Sequence, residues 1–128
     1  MYQAFTLTSL LFCLLLSPLQ ADESITTSVG NLYKDGTALN GKQVTLQGKV
    51  VKVNNQIMQR NFIHLQDGSG NPKDGTHDIT ITSQSTANVG DQVKVTGTLV
   101  LDHDFGAGYK YPMLVEKATI TTSDRQAP

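Results

Sequence analysis

With 128 residues, 10 Lys and Arg against 11 Asp and Glu, and a formal net charge of −1, the chain is long enough for one compact domain and too short for two. So small a net charge gives no global electrostatic case for binding nucleic acid or a membrane surface. The one cysteine, Cys13, falls in the leader, so disulfide scaffolds, thiolate metal sites and cysteine nucleophiles are excluded from a chain that has lost it.

Residues 1–21 read as a Sec-type signal peptide. The apolar run Leu7–Leu16 is too short to span a bilayer, Ser17-Pro18 breaks it, and Leu19-Gln20-Ala21 offers a cleavage site. No Lys or Arg precedes the run, so an uncleaved anchor is the competing reading, while bulky Phe12 before Cys13 argues against a lipoprotein site. Cleavage gives a mature chain starting at Asp22, without membrane attachment. An exported, disulfide-free domain of this size fits a bacterial periplasm.

After a polar leader at 22–31, Ser28–Lys34 predicts a helical turn or two, with Gly36 as its stop. Asn40-Gly41 is a turn. Five strands follow. Val44–Val53 alternates with period two and holds Gly48, a mid-strand glycine that marks a bulge or bend. Phe62–Gln66 alternates too, with Ile63 and Leu65 on one face and Phe62, His64 and Gln66 on the other. It stops at Asp67-Gly-Ser-Gly70, where Asp67 caps the backbone N–H groups of Ser69 and Gly70. His77–Thr82, Gln92–Leu99 and Tyr111–Ile120 complete the set, and 121–128 read as a disordered tail. The expected core is Val44, Leu46, Val50, Ile63, Leu65, Ile79, Ile81, Val93, Val95 and Val115.

Five strands in so short a span, the first of them glycine-bent, predict an all-β single domain at 32–120, a small closed barrel of the OB-fold type. The series GKQVTLQGKVV, FIHLQDGSG, ITI and VGDQVKVTGTL resembles the OB-folds of anticodon-binding and single-strand-binding proteins. More closely, VVKVNNQIMQRNFIHLQDGSG with LDHDFGAGYKYPMLVEKATI resembles the exported NrfJ-related OB-fold family, often labelled DNA-binding, of bacteria rich in respiratory cytochromes. The resemblance implies export, a monomeric binding module and, as a partner, a periplasmic respiratory or cytochrome-type enzyme.

On the OB plan, ligands meet the outer face of the second and third strands between two loops, here 54–60 and 102–109. This gathers Met58, Arg60, Phe62, His64, Gln66, Asp102, His103, Asp104, Phe105 and Tyr109 on one side. Three readings compete for them. Met58, His64 and His103, with Met113 as a fourth ligand, form a thioether and imidazole set that suits copper, especially Cu(I), with Asp102 or Asp104 accepting from an imidazole N–H. Phe62, Phe105, Tyr109 and Tyr111 suit base stacking in a single-stranded nucleic acid, with Lys49, Lys52 and Arg60 on phosphates, against which stand the net charge and the acidic 102–104 loop. An aromatic and Arg patch equally suits a protein-docking module without a metal.

Catalysis is not expected. Ser69 lies in a turn with no strand–turn–helix elbow, and Glu116 has no second Glu near it in sequence. No cofactor is required by any motif. Lysines and Arg60 concentrate in 31–66 and six aspartates in 67–104, a charge dipole in sequence that a β-fold interleaves.

Overall fold

The computed structural model describes residues 23–123, so the signal-peptide reading of 1–21 lies outside the described residues. In chain order the elements are β1 (Ile25–Thr26), α1 (Val29–Leu39), β2 (Gln43–Ile57), β3 (Arg60–Gln66), β4 (Ile79–Ser83), β5 (Gln92–Asp104) and β6 (Lys110–Thr122).

β2 holds the architecture together. Its first half, Gln43–Lys49, pairs antiparallel with β5, and its second half, Lys49–Ile57, pairs antiparallel with β3. The changeover falls at Gly48, where a Cβ would sit 2.7 Å from the Gln66 carbonyl oxygen, so only glycine lets the two strands approach this closely. β3 continues to β4, β4 pairs parallel with β6, and β6 returns antiparallel to β5, which closes the ring on β2. This closed five-stranded barrel is the OB-fold.

Alternation puts one apolar stripe of each strand inside. All ten residues expected in the core are buried there, each at most 2 % exposed. α1 adds Val29 and Leu32 to the same cluster.

Several boundaries differ from the sequence expectation. The leader is tied down from Ser24 onward: β1 pairs parallel with β2 through Ile25 and Val44, and the Ser24 and Thr45 hydroxyls hydrogen-bond at 2.6 Å. α1 does not stop at Gly36 but runs to Leu39 through a kink at Asp35 (φ −110°, ψ 17°). Gly36 serves packing instead, since a Cβ there would lie 2.7 Å from the Met113 methyl. β6 extends through Thr122, and Ser123 N donates to the Gln92 carbonyl at 2.8 Å, so 121–123 are tied to the barrel, and the rest of the expected tail lies outside the described residues. β4 begins at Ile79, because Asp78 turns aside to a different task. Both expected loops are shorter than read. The first shrinks to Met58-Gln59 and the second to 105–109.

Candidate ligand face and its two hairpins

β3 presents Phe62, His64 and Gln66 away from the barrel core, as alternation requires. None of the three stands free. His64 Nδ1 lies 2.8 Å from Asp78 Oδ1, and Gln66 Nε2 donates to Asp78 Oδ2 at 2.8 Å. The Tyr33 hydroxyl, from α1, donates to the Asp78 carbonyl at 2.6 Å. Burial and then the nearby Asp78 charge raise the Tyr33 phenol above its ordinary value, which keeps the proton that this bond needs. Sequence reasoning put Asp78 in the third strand but missed it as the hub, since alternation gives a residue's face and not its cross-strand partners.

Phe62 is covered as well. It is 3 % exposed, with Phe105 edge-on at 5.5 Å and Tyr111 stacked at 5.8 Å between centroids. The expectation of Phe62 as an open stacking platform is therefore corrected: the β5–β6 hairpin folds its own rings onto it. Phe105 carries His103 edge-on at 4.2 Å, and the Arg60 guanidinium lies over its ring at 4.7 Å. The accessible surface is thus one layer further out, in Phe105, Tyr111, His103 and Arg60, each half-buried, and in Tyr109, which is 43 % exposed.

The two hairpins that frame this layer are built differently. Met58 and Gln59 both take left-handed backbone (φ 51° and 65°), as a two-residue hairpin of primed type demands, without the Asn-Gly that usually supplies it. Arg60 Nη1 donates to the Met58 carbonyl across that turn at 3.2 Å. In the other hairpin, Asp104 Oδ1 accepts from Gly106 N at 2.7 Å, and Phe105 N and Tyr109 N close the loop on the Tyr109 and Gly106 carbonyls. Beside it a cleft of about 430 Å³ runs along Asp102, His103, Asp104, Lys110, Tyr111 and Pro112. Asp102 and Asp104 are exposed and make this rim acidic.

Lys49 and Lys52 flank the face on β2, opposite Gln66 and His64 in the ladder. A second cleft of about 460 Å³ joins Gln47, Lys49, Gln66 and Gln92. The Asp67–Gly70 turn closes the far end. Asp67 Oδ1 accepts from Ser69 N at 3.0 Å, as expected of a turn-former, and also from the Ser69 hydroxyl. Its other oxygen accepts from Val29 N at 3.0 Å, and Ser69 Oγ accepts from Gly30 N at 2.8 Å, so the turn caps the start of α1. Burial raises the Asp67 carboxyl, but the Ser69 hydroxyl and the N–H groups of Val29 and Ser69 outweigh it and hold it below its ordinary value.

The four candidate copper ligands take different places. Met58 sits in the β2–β3 turn, His64 is held by Asp78, His103 lies against Phe105, and the Met113 methyl closes over Gly36 of α1. The aspartate at His64 is Asp78, and neither Asp102 nor Asp104 was needed for it. Among the described residues no group of three or more His, Cys, Asp or Glu is placed to hold a metal ion.

No family model matches the sequence, and no curated protein matches it. Solved structures do. A protein assigned as an aspartyl-tRNA synthetase from Leishmania major Friedlin superposes with a TM-score of 0.56 at 14 % identity, over 90 % of this chain and 24 % of that one. The asparaginyl-tRNA synthetase of Entamoeba histolytica, in complex with asparaginyl-adenylate, gives 0.50 at 14 % identity, over 80 % of this chain and 25 % of its own. The chain spans about a quarter of the length of these proteins. At such identity the likeness shows the fold, and the class it defines is the OB-fold.

Proposed function

We propose that this chain is an exported, non-catalytic OB-fold binding module whose ligand is single-stranded nucleic acid or a short oligonucleotide. The observation that carries the reading is the outer layer of Phe105, Tyr109, Tyr111 and Arg60, with Lys49 and Lys52 along the neighbouring strand. Flat rings for bases beside cations for phosphates are what such ligands require. Support also comes from the structural neighbours, whose names make them enzymes that act on tRNA. The acidic rim at Asp102 and Asp104 opposes a polyanion, so binding is weak and salt-sensitive.

Copper binding finds no support in this arrangement, because Met113 packs against α1 while Met58, His64 and His103 sit apart in a turn, on β3 and against Phe105. A respiratory or cytochrome-type partner likewise has no contact surface here that distinguishes it from a ligand face. Neither is carried further.

The test is fluorescence anisotropy of a labelled oligothymidylate on the mature protein at low salt. Tyr109→Ala is expected to weaken binding by about 1–3 kcal/mol, the usual worth of a base stacked on an aromatic ring. No anisotropy change at low salt would overturn the proposal. Export is checked separately by intact mass, which should begin at Asp22.

A further inference from the structure

On the side of the barrel behind the β2–β3 turn, a cleft of about 320 Å³ opens between the end of β4 and the middle of β6. Arg60, Thr82, Gln84, Ser85, Lys117 and Thr119 line it, with two cations, three hydroxyls and an amide, and no carboxylate. The ion pair found among the described residues is His64 with Asp78, so neither Arg60 nor Lys117 is neutralised there.

The backbone is bent to make this place. Ile81 pairs with Val115 and Ser83 with Ala118, while Thr98 pairs with Glu116 and Thr96 with Thr119. β6 therefore carries an extra residue relative to both neighbours, a bulge that re-aims a side chain. Lys117 occupies it with φ +52°, a left-handed conformation that lysine rarely adopts. Such an outlier persists only where its surroundings fix it. Lys117 N donates to Thr82 Oγ1 at 3.2 Å, and the Ser83 hydroxyl donates to the Ala118 carbonyl at 2.6 Å. Across the sheet stands Gly97, where a Cβ would come within 2.9 Å of the Glu116 carbonyl oxygen. Arg60 uses one of its five N–H donors on Met58 and holds its guanidinium carbon 4.7 Å over the Phe105 ring, which leaves donors for a ligand.

We infer that this cleft is a phosphate subsite, taking a phosphate group between Arg60 and Lys117 with hydroxyl donors from Ser85 and Thr119. A multiply charged tetrahedral anion uses two cations and several donors at once, and the volume leaves room for the group the phosphate is attached to. The inference deepens the oligonucleotide reading and rests on it only for the source of the phosphate. The site assigns Lys117 to the ligand surface, on the opposite flank of β3 from Lys49 and Lys52.

The experiment combines two probes on the mature protein. Inorganic phosphate is titrated while amide resonances are followed, and short oligothymidylates with and without a 5′-phosphate are bound by anisotropy. Lys117→Asn removes the charge while keeping a residue that tolerates left-handed backbone. Lys34→Gln, on α1, controls for general charge, and thermal melts confirm folding. Phosphate is expected to shift the Lys117 and Thr82 amides, and Lys117→Asn to weaken phosphate or oligonucleotide binding about tenfold, as for a lost charged hydrogen bond. If the 5′-phosphate strengthens binding to the wild type and not to Lys117→Asn, the terminal group is the source; if both oligonucleotides lose equally, the source is the internal backbone. Oligonucleotide binding untouched by Lys117→Asn, with no phosphate shift at Lys117, overturns the subsite and leaves the module standing. Phosphate binding lost in Lys117→Asn with no oligonucleotide binding leaves the subsite and overturns the module. Equal loss in Lys34→Gln shows general attraction and overturns the subsite.

Discussion

One aspartate organises much of what the sequence left open on β3: Asp78 takes hydrogen bonds from Gln66 and Tyr33 and pairs with His64. The alternation that exposed Phe62, His64 and Gln66 was legible, but their partners come from a turn, a helix and a distant hairpin that no period announces. Phe62 shows the consequence. Being 3 % exposed under Phe105 and Tyr111, it contributes to stability before it contributes to any ligand. Phe62→Ala is expected to cost about 3 kcal/mol in denaturant unfolding, at the low end for a buried ring because its cover is at the surface. An unchanged midpoint would mean that the ring is not held as described. Asp67 gives a pH signature. Its carboxyl titrates lower in the folded chain than in the unfolded one, where the value is about 3.9. Its stabilising contribution is therefore complete above that value and disappears as pH falls through the lower, folded value. The thermal midpoint of wild type should drop more steeply on acidification to about pH 3 than that of Asp67→Asn, which cannot titrate. Parallel acid profiles would show that the helix cap is not set by the charged form.

The strands were read with their faces correct and, apart from the early start at His77, with their ends short, and the hairpins explain why. Met58-Gln59 reverses the chain with two left-handed residues and no glycine, so the segment reads as a loop although β2 and β3 are paired up to Ile57 and Arg60. Replacing Met58-Gln59 with Asn-Gly should stabilise the protein by about 1 kcal/mol, the relief of left-handed strain. A lower melting temperature would mean that the turn is of another type. Gly48 was legible as a bend because glycine in a strand has few other uses. Gly48→Ala should destabilise by about 1–3 kcal/mol, since the new methyl must displace the Gln66 carbonyl or the strand itself. Gly36 misled for the opposite reason. It resembles a helix stop, but it is small so that Met113 can cross α1, and only tertiary packing says so.

For the molecule as a whole, the barrel was legible because closure needs only alternating strands of matching length, and these ten core positions supply it. The ligand was not, because the fold leaves several faces polar and the cations of the proposed subsite, Arg60 and Lys117, lie far apart in sequence. Closure also has a cost in time. β2 is complete as a strand only when β5 arrives, since Gln43–Lys49 find their partners at Gln92–Thr98. Until then that half of β2 offers an open edge, the kind that recruits other chains. A fragment ending at Gly90 is expected to aggregate, which light scattering would detect; a soluble, folded monomer would contradict it. Pairing across so long a stretch places folding in milliseconds to seconds rather than microseconds. On the export reading, that delay keeps the polypeptide threadable: a barrel whose ring waits for β6 to join β4 to β5 cannot lock while its leading end is still being passed through a membrane.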